Sequence, residues 1–340
     1  MQGTPADAFR ALIEREGIVV EFGQGADGGA VALSHRVTLP LDTAKRLVLA
    51  LNEPLARHAA RLRAAEDAAA RGHTPVNAPP DQAGAKAAQL MRLVGELDVP
   101  NQHERSFRLS ADGLLANRFL LTVNSRDIRG DARARALAIG AELGMPDALR
   151  RAAQEKFGMA AALHFGFEGG PGSIICKLYL ERAIPPEEAA RAKPVLLHLA
   201  FKWDLVTAAE VISEYLWYPG LDAAGIETRL AQVYVDGAPA ESFAIAKAAL
   251  ALAGARIPAE RLQYLEVQEA NGRRSFDLNV YDAALQVKDL LPLLHRMREH
   301  YGVPPGRVQA LYDQIKAQAL GHVAGGVHRN GRDFFNIYFR

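Results

Sequence analysis

One cysteine in 340 residues, Cys176, leaves nothing to pair with, so an internal disulfide is excluded and a reducing compartment fits. Charge of one sign is missing too. Forty Lys and Arg meet 39 Asp and Glu, a net charge of +1, which excludes a global field able to hold a polyanion such as DNA. The same balance argues against single-stranded nucleic acid, although rings and cations are both present. No run approaches about 18 apolar residues, and MQGTPADAFR lacks the basic-then-apolar character of a secretory signal. A soluble, cytoplasmic protein without membrane contact is expected. Metal spacing is absent: His103-Glu104 has no second His four residues on, and His198, His322 and His328 are scattered. Gly23-Gln24-Gly25-Ala26-Asp27-Gly28 fits the dinucleotide loop pattern, but Ala30 to Leu33 reads as a strand where that loop must open into a helix, so it is a hairpin turn.

What is present is an ordinary globular balance, 49% hydrophobic and 23% charged, able to bury a sizeable core. Residues 1–80 read as an N-terminal extension. Apolar patches Gly17 to Phe22 and Ala30 to Val37 flank a Gly-rich loop, and Asp42 to Arg71 reads as a long helix. Gly72 to Gly84 has the Pro and polar content of a linker.

Residues 85–340 form the main domain, where one pattern recurs: helix, two strands joined by a short turn, helix. Strand pairs are expected at 103–110 with 115–123, 160–168 with 173–180, and 195–203 with 210–217. Two more fall at 262–269 with 274–281 and 320–327 with 333–339. Turn residues such as Ala111-Asp112-Gly113, Asn271-Gly272 and Asn330-Gly331 mark the reversals. Period-two alternation sets Cys176, Leu178 and Leu180 against Lys177 and Tyr179, and Phe276, Leu278 and Val280 against Asp277, Asn279 and Tyr281. The last strand sets Phe335, Ile337 and Phe339 against Phe334, Asn336 and Tyr338; Leu197, Leu199 and Phe201 oppose His198 and Lys202. Any one such strand also fits a half-solvated sheet. Together, polar faces rich in Arg, Lys, Tyr, His and Asn fit a barrel of about ten antiparallel strands, helices outside and a polar, solvent-filled lumen inside.

Glu104 to Arg118 (ERSFRLSADGLLANR), continuing as Phe119-Leu120-Leu121, resembles the first hairpin of the cyanobactin-type peptide prenyltransferases of the ABBA prenyltransferase superfamily. Lys177-Leu178-Tyr179 resembles the Lys-x-Tyr pattern of that superfamily's indole prenyltransferases, and departs from the peptide branch, which often has His at the second position. The resemblance covers 85–340; residues 1–80 match nothing. It implies an α/β fold of αββα repeats closed into a barrel. It also implies transfer of a dimethylallyl or geranyl group from its diphosphate to a peptide side chain in the tailoring of a ribosomally made peptide. The absence of an Asp-rich motif agrees with it, because this superfamily holds diphosphate with cationic and phenolic groups.

That chemistry separates a diphosphate anion from an allyl cation, so donors aimed at the departing anion lower the barrier. Arg118 offers a planar fork, Lys177 a point charge, and Tyr179, Tyr281 and Tyr338 neutral hydroxyls, with Lys202 joining them in diphosphate binding. Tyrosine faces would also shield the cation. Glu104 would take the acceptor's proton from a position near Arg118, its hairpin neighbour. Arg108, His164, His198, Tyr264, Asn279 and Asn336 are further candidates to line the chamber. Mg2+ is a conditional companion of the diphosphate, and Asp277 and Glu266, read as inward-facing on adjacent strands, are too weak a pair to name as metal ligands. The chain stops at Arg340, directly after the last strand. In the resemblance an end without a plugging helix goes with peptide acceptors, although residues 1–80 could supply a plug. A free aromatic acceptor such as tryptophan or a phenol, and a non-catalytic peptide- or isoprenoid-binding barrel, are the alternatives.

Overall fold

The structure, a computed structural model, describes residues 8–14, 17–25, 31–39, 82–234, 240–270, 273–328 and 331–340. The chain divides into two compact units, Met1–Pro80 and Asp81–Arg340. In the first, β1 (Ala8–Glu14), β2 (Gly17–Gly25) and β3 (Val31–Leu39) form an antiparallel sheet in that order. The strand β1 was not expected, because Ala8–Glu14 lacks a clean alternation. The long helix expected over Asp42 to Arg71 lies outside the described residues. The linker expected over Gly72 to Gly84 is corrected at its end, since Gln82 already begins a helix.

That helix, α1 (Gln82–Gly95), opens the second unit and turns Leu90, Leu93 and Val94 inward. Five hairpins follow: β4 (Gln102–Ser110) with β5 (Gly113–Asn124), β6 (Ala160–Gly170) with β7 (Ser173–Arg182), and β8 (Val195–Asp204) with β9 (Glu210–Trp217). The last two are β10 (Gln263–Glu269) with β11 (Arg274–Asn279), and β12 (Leu320–Val327) with β13 (Asp333–Phe339). Helices separate them: α2 (Ala132–Glu142) and α3 (Asp147–Lys156), the short α4 (Pro186–Ala189), α5 (Ala223–Val233) and α6 (Ala240–Gly254), then α7 (Leu291–His300) and α8 (Pro305–Ile315). Every strand pairs antiparallel with its neighbours, and pairing of β13 with β4 and of β9 with β10 closes the sheet. This is the ten-stranded αββα barrel. No described helix is long and apolar enough to cross a membrane.

The alternation explains why the sheet closes. One face of each strand carries apolar side chains, among them Phe165, Phe167, Leu178, Phe276 and Ile337, all at most 2% exposed beneath the helices. Burying each such side chain contributes ~1.5–3 kcal/mol. The core therefore lies outside the sheet, between strands and helices, leaving the polar faces to one another across the lumen. The helices are positioned by their own ends: the Asp131 carboxylate caps α2 by accepting from Ala134 N–H, and Asp222 caps α5 by accepting from Gly225 N–H.

Two buried groups that invite a chemical reading belong to this packing. Ser242, His300, Tyr301 and Asp333 form a network, but the His300 Nε2 atom approaches both Ser242 Oγ (3.0 Å) and Asp333 Oδ2 (2.8 Å). A hydrolytic triad needs the two ring nitrogens to serve different partners, so this network instead ties α6 and α7 to the start of β13. Cys176 sits on the apolar face, its thiol pushed up to about 11 by burial, which removes it as a nucleophile.

Gly326 on β12 is required by its surroundings: φ is +150°, and a Cβ there would press into the backbone of Arg274 and Ser275 on the paired strand. Gly326→Ala is expected to lower unfolding stability by ~2 kcal/mol or more, read as a fall in the urea midpoint at unchanged m-value.

Candidate functional site

The lumen consists of two cavities that share one waist. The first, about 380 Å³, is lined by Glu104, His164, Glu181, His198, Asp277 and His322 among others. The second, about 320 Å³, is lined by Arg108, Lys202, Arg273, Glu168, Glu269 and Asn336 among others. Arg118, Lys177, Tyr179, Tyr215 and Tyr338 line both. Four strands, β5, β7, β9 and β13, thus aim these five cationic and phenolic groups at a single constriction, with β7 supplying two of them.

In the second cavity five cationic side chains, Arg108, Arg118, Lys177, Lys202 and Arg273, meet three carboxylates. Asp204 is spent on a turn, accepting from the Ile174 and Val206 N–H groups and from Thr207 Oγ1. Glu168, 4% exposed, is the hub: Arg108 Nη1 lies at 2.8 Å, Lys177 Nζ at 2.8 Å and Arg118 Nη2 at 3.2 Å. Burial alone would raise its carboxyl, but those three cations hold it well below the usual carboxylate range. Glu269 is held at about 2 by Lys202 and Arg273, against the opposing effect of burial. Even so, positive charge is in excess, and burial together with the neighbouring cations lowers Lys202 to about 7 and Lys177 to about 8. Arg118 donates to Asn336 Oδ1, as Arg108 Nε does at 2.9 Å, yet the buried Arg118 Nε–H has no partner. A buried cationic donor without an acceptor, in a lumen with surplus positive charge, is suited to an anionic oxygen.

The waist is aromatic. The Tyr179 and Tyr215 rings stand 5.6 Å apart, and Tyr338 lies 5.5 Å from His322. Burial raises both Tyr179 and Tyr338 above the usual phenol range, so their hydroxyls stay neutral.

In the first cavity Glu104 Oε1 accepts a hydrogen bond from Tyr281 OH, and Arg340 lies over the Tyr281 ring at 4.0 Å. Gly321 admits this pair: a Cβ there would stand 2.5 Å from the Tyr281 hydroxyl and 2.8 Å from Glu104 Oε1. His322 sits between carboxylates, Nδ1 at 2.6 Å from Asp277 and Nε2 at 3.8 Å from Glu104. Burial lowers it, but Asp277 and Glu104 outweigh burial and bring it to about 9. At neutral pH it is an imidazolium and cannot accept a proton. Glu104 can.

Glu104, Arg118, Lys177, Tyr179, Tyr281 and Tyr338 all line the first cavity, and Lys202, Arg108 and Asn336 the second. Asn279, His164 and His198 also face the first, which puts the two histidines on the side away from the cation-rich half. Glu104 is a diagonal neighbour of Arg118 across the hairpin, with Ser106 directly opposite Arg118 and Glu168 as that arginine's carboxylate. Two placements correct the sequence reading. Tyr264 is fully buried on the helix side, stacked on Phe276, its hydroxyl donating to Glu266 at 3.2 Å. Glu266 shares that outer face, bound by Arg229 Nε at 2.7 Å from α5, and so is not a neighbour of Asp277 in the lumen. The sequence reading missed Glu168, Tyr215, Glu269 and Arg273. Period two from His164 reaches Glu168 and would have found it.

No protein-family model matches the chain, and no curated protein matches it by sequence. Some solved structures are similar to it. AnaPT from Neosartorya fischeri is 13% identical, with 70% of this chain and 77% of that one covered at a TM-score of 0.45. The 6-dimethylallyltryptophan synthase of Micromonospora olivasterospora, solved with DMASPP and Trp, is 13% identical over 70% and 81% of the two chains, TM-score 0.47. A further 6-dimethylallyl tryptophan synthase is 12% identical over 78% and 97%, TM-score 0.46.

Proposed function

We propose that the barrel transfers a prenyl group from an allylic diphosphate to a nucleophile. The observation that carries this reading is the division of one lumen into a cation-rich half and a half bearing a carboxylate base, with neutral phenols between. Breaking the allylic C–O bond sends both bonding electrons to oxygen, so negative charge grows on the diphosphate as positive charge grows on carbon. Arg118, Lys177, Lys202, Arg108 and Arg273 would take the anion, and each donor that gains strength as charge develops is worth ~2.7–4 kcal/mol. Tyr179, Tyr215 and Tyr338 would face the allyl cation, each contributing ~0.5–2 kcal/mol while keeping water away. As neutral phenols they do not compete as phenolate nucleophiles. The acceptor attacks the cation and forms the new bond, and Glu104 takes its proton.

The acceptor in this proposal is a peptide side chain presented in the first cavity, and the donor carries a dimethylallyl or geranyl group; a free aromatic acceptor is the alternative. Mg2+ has no protein site of its own in this scheme. Glu168, Glu269 and Asp204, the carboxylates of the cation-rich half, are committed to cations or to a turn, so no step is routed through the metal. Incubation with dimethylallyl and geranyl diphosphates, short peptides and aromatic amino acids should give a mass gain of one prenyl unit. Product on peptides supports the first acceptor and product on free aromatics the second. Saturable donor binding with no product on any acceptor overturns transfer in favour of a binding barrel.

The lowered lysines give a further expectation. At pH 7.5–8.5 Lys202 and Lys177 are partly neutral, and a bound diphosphate restores their protons. Donor binding should therefore take up protons, making its calorimetric enthalpy depend on the buffer's ionisation enthalpy. Affinity should fall as pH rises through 7 to 8, and Lys202→Met should reduce the uptake.

A further inference from the structure

The first cavity holds a cluster that the transfer chemistry leaves unused. His164 on β6, Glu181 on β7 and His198 on β8 project from three consecutive strands onto the lumen face, Glu181 and His198 as cross-strand partners. Their nearest ligand atoms all lie within 4.8 Å of one another. His164 Nε2 is 2.7 Å from Glu181 Oε2, and His198 Nδ1 is 3.9 Å from the same oxygen. The His198 Nδ1 atom is fully buried and has no hydrogen-bond partner, an orphan aimed at its neighbours.

From this geometry we infer a divalent metal site of the two-histidine, one-carboxylate type, selective for a borderline ion such as Zn2+. Imidazole nitrogens favour such ions over Mg2+, and three protein ligands leave a position open toward the chamber. Ligands bound at ~2.0–2.1 Å around a tetrahedral ion stand ~3.3 Å apart. The 2.7 and 3.9 Å separations bracket that value, and with all three ligand atoms within 4.8 Å of one another the set closes around an ion by side-chain adjustment while the strands stay fixed.

Thr122 Oγ1 lies 2.7 Å from His164 Nδ1. A metal held by Nε2 would leave Nδ1 to carry the ring N–H, which Thr122 Oγ1 is placed to accept. Such an outer partner fixes the ring and its tautomer.

The open position could hold an acceptor hydroxyl or thiol and lower its pKa; that role alone rests on the transfer reading. The test is therefore run without donor or acceptor. The untagged full chain, stripped with a chelator, is titrated with Zn2+ by calorimetry and with Co2+ by visible absorption. One equivalent should bind, with the strong d–d bands of four- or five-coordinate cobalt. His198→Gln and Glu181→Gln should weaken binding ~100-fold or more and Thr122→Val ~10-fold, while His103→Ala leaves it unchanged. Thr122→Val retains all three ligands and guards against variants that fail to fold. Absence of stoichiometric binding, or binding undiminished in the folded His198 and Glu181 variants, overturns the site.

Discussion

Arg118→Met should lower kcat/KM for the prenyl diphosphate by ~10²–10³-fold, the cost of removing a donor whose hydrogen bonds strengthen as the anion departs. Arg118 stands at the waist, lines both cavities and has a buried Nε–H without a partner. Its loss does not strand Glu168, which keeps Arg108 and Lys177 at 2.8 Å. Stability should therefore fall by less than the ~3–5 kcal/mol typical of breaking a lone buried ion pair. Arg118→Lys keeps the charge but loses the fork, and should restore only part of the activity. Unchanged steady-state turnover in a folded Arg118→Met protein would remove the anion site from the waist.

Glu104→Gln should separate binding from chemistry. The amide oxygen can still accept from Tyr281, and the cation-rich half is untouched, so donor affinity measured by calorimetry should hold. Turnover should fall by ~10²–10⁴-fold, the range for loss of a positioned base. His322 gives an internal check. Its pKa of about 9 depends on Asp277 and Glu104 outweighing burial, so removing one carboxylate should lower its NMR titration midpoint. A variant that loses donor affinity as steeply as turnover would place Glu104 in binding rather than proton removal.

The sequence exposes those residues whose strand keeps a strict alternation. Lys177 and Tyr179, set between Cys176, Leu178 and Leu180, can face only one way once that apolar set is buried. Strand β10 misleads in the opposite way: Tyr264 and Glu266 alternate with Leu265 and Val267, yet the face that carries Tyr264 and Glu266 is the one turned to the helices. What decides is Arg229, 37 residues away on α5, which draws Glu266 to the helix side. Leu265 is left lining the lumen. Glu168 was passed over although it closes the strand expected at 160–168, and β6 runs on to Gly170. The pairing of Arg118 with Glu168 spans β5 and β6, so the β4–β5 hairpin alone could not reveal it.

Because the apolar packing lies between strands and helices, the lumen side chains carry little of the folding free energy. A substitution such as Leu120 or Leu197 to a smaller or polar residue would reshape the reaction space while the scaffold stands. Mutations at Phe165 or Phe276 would strike the scaffold itself. Selection can therefore rewrite the molecular appetite of this barrel almost independently of its architecture, one inward position at a time.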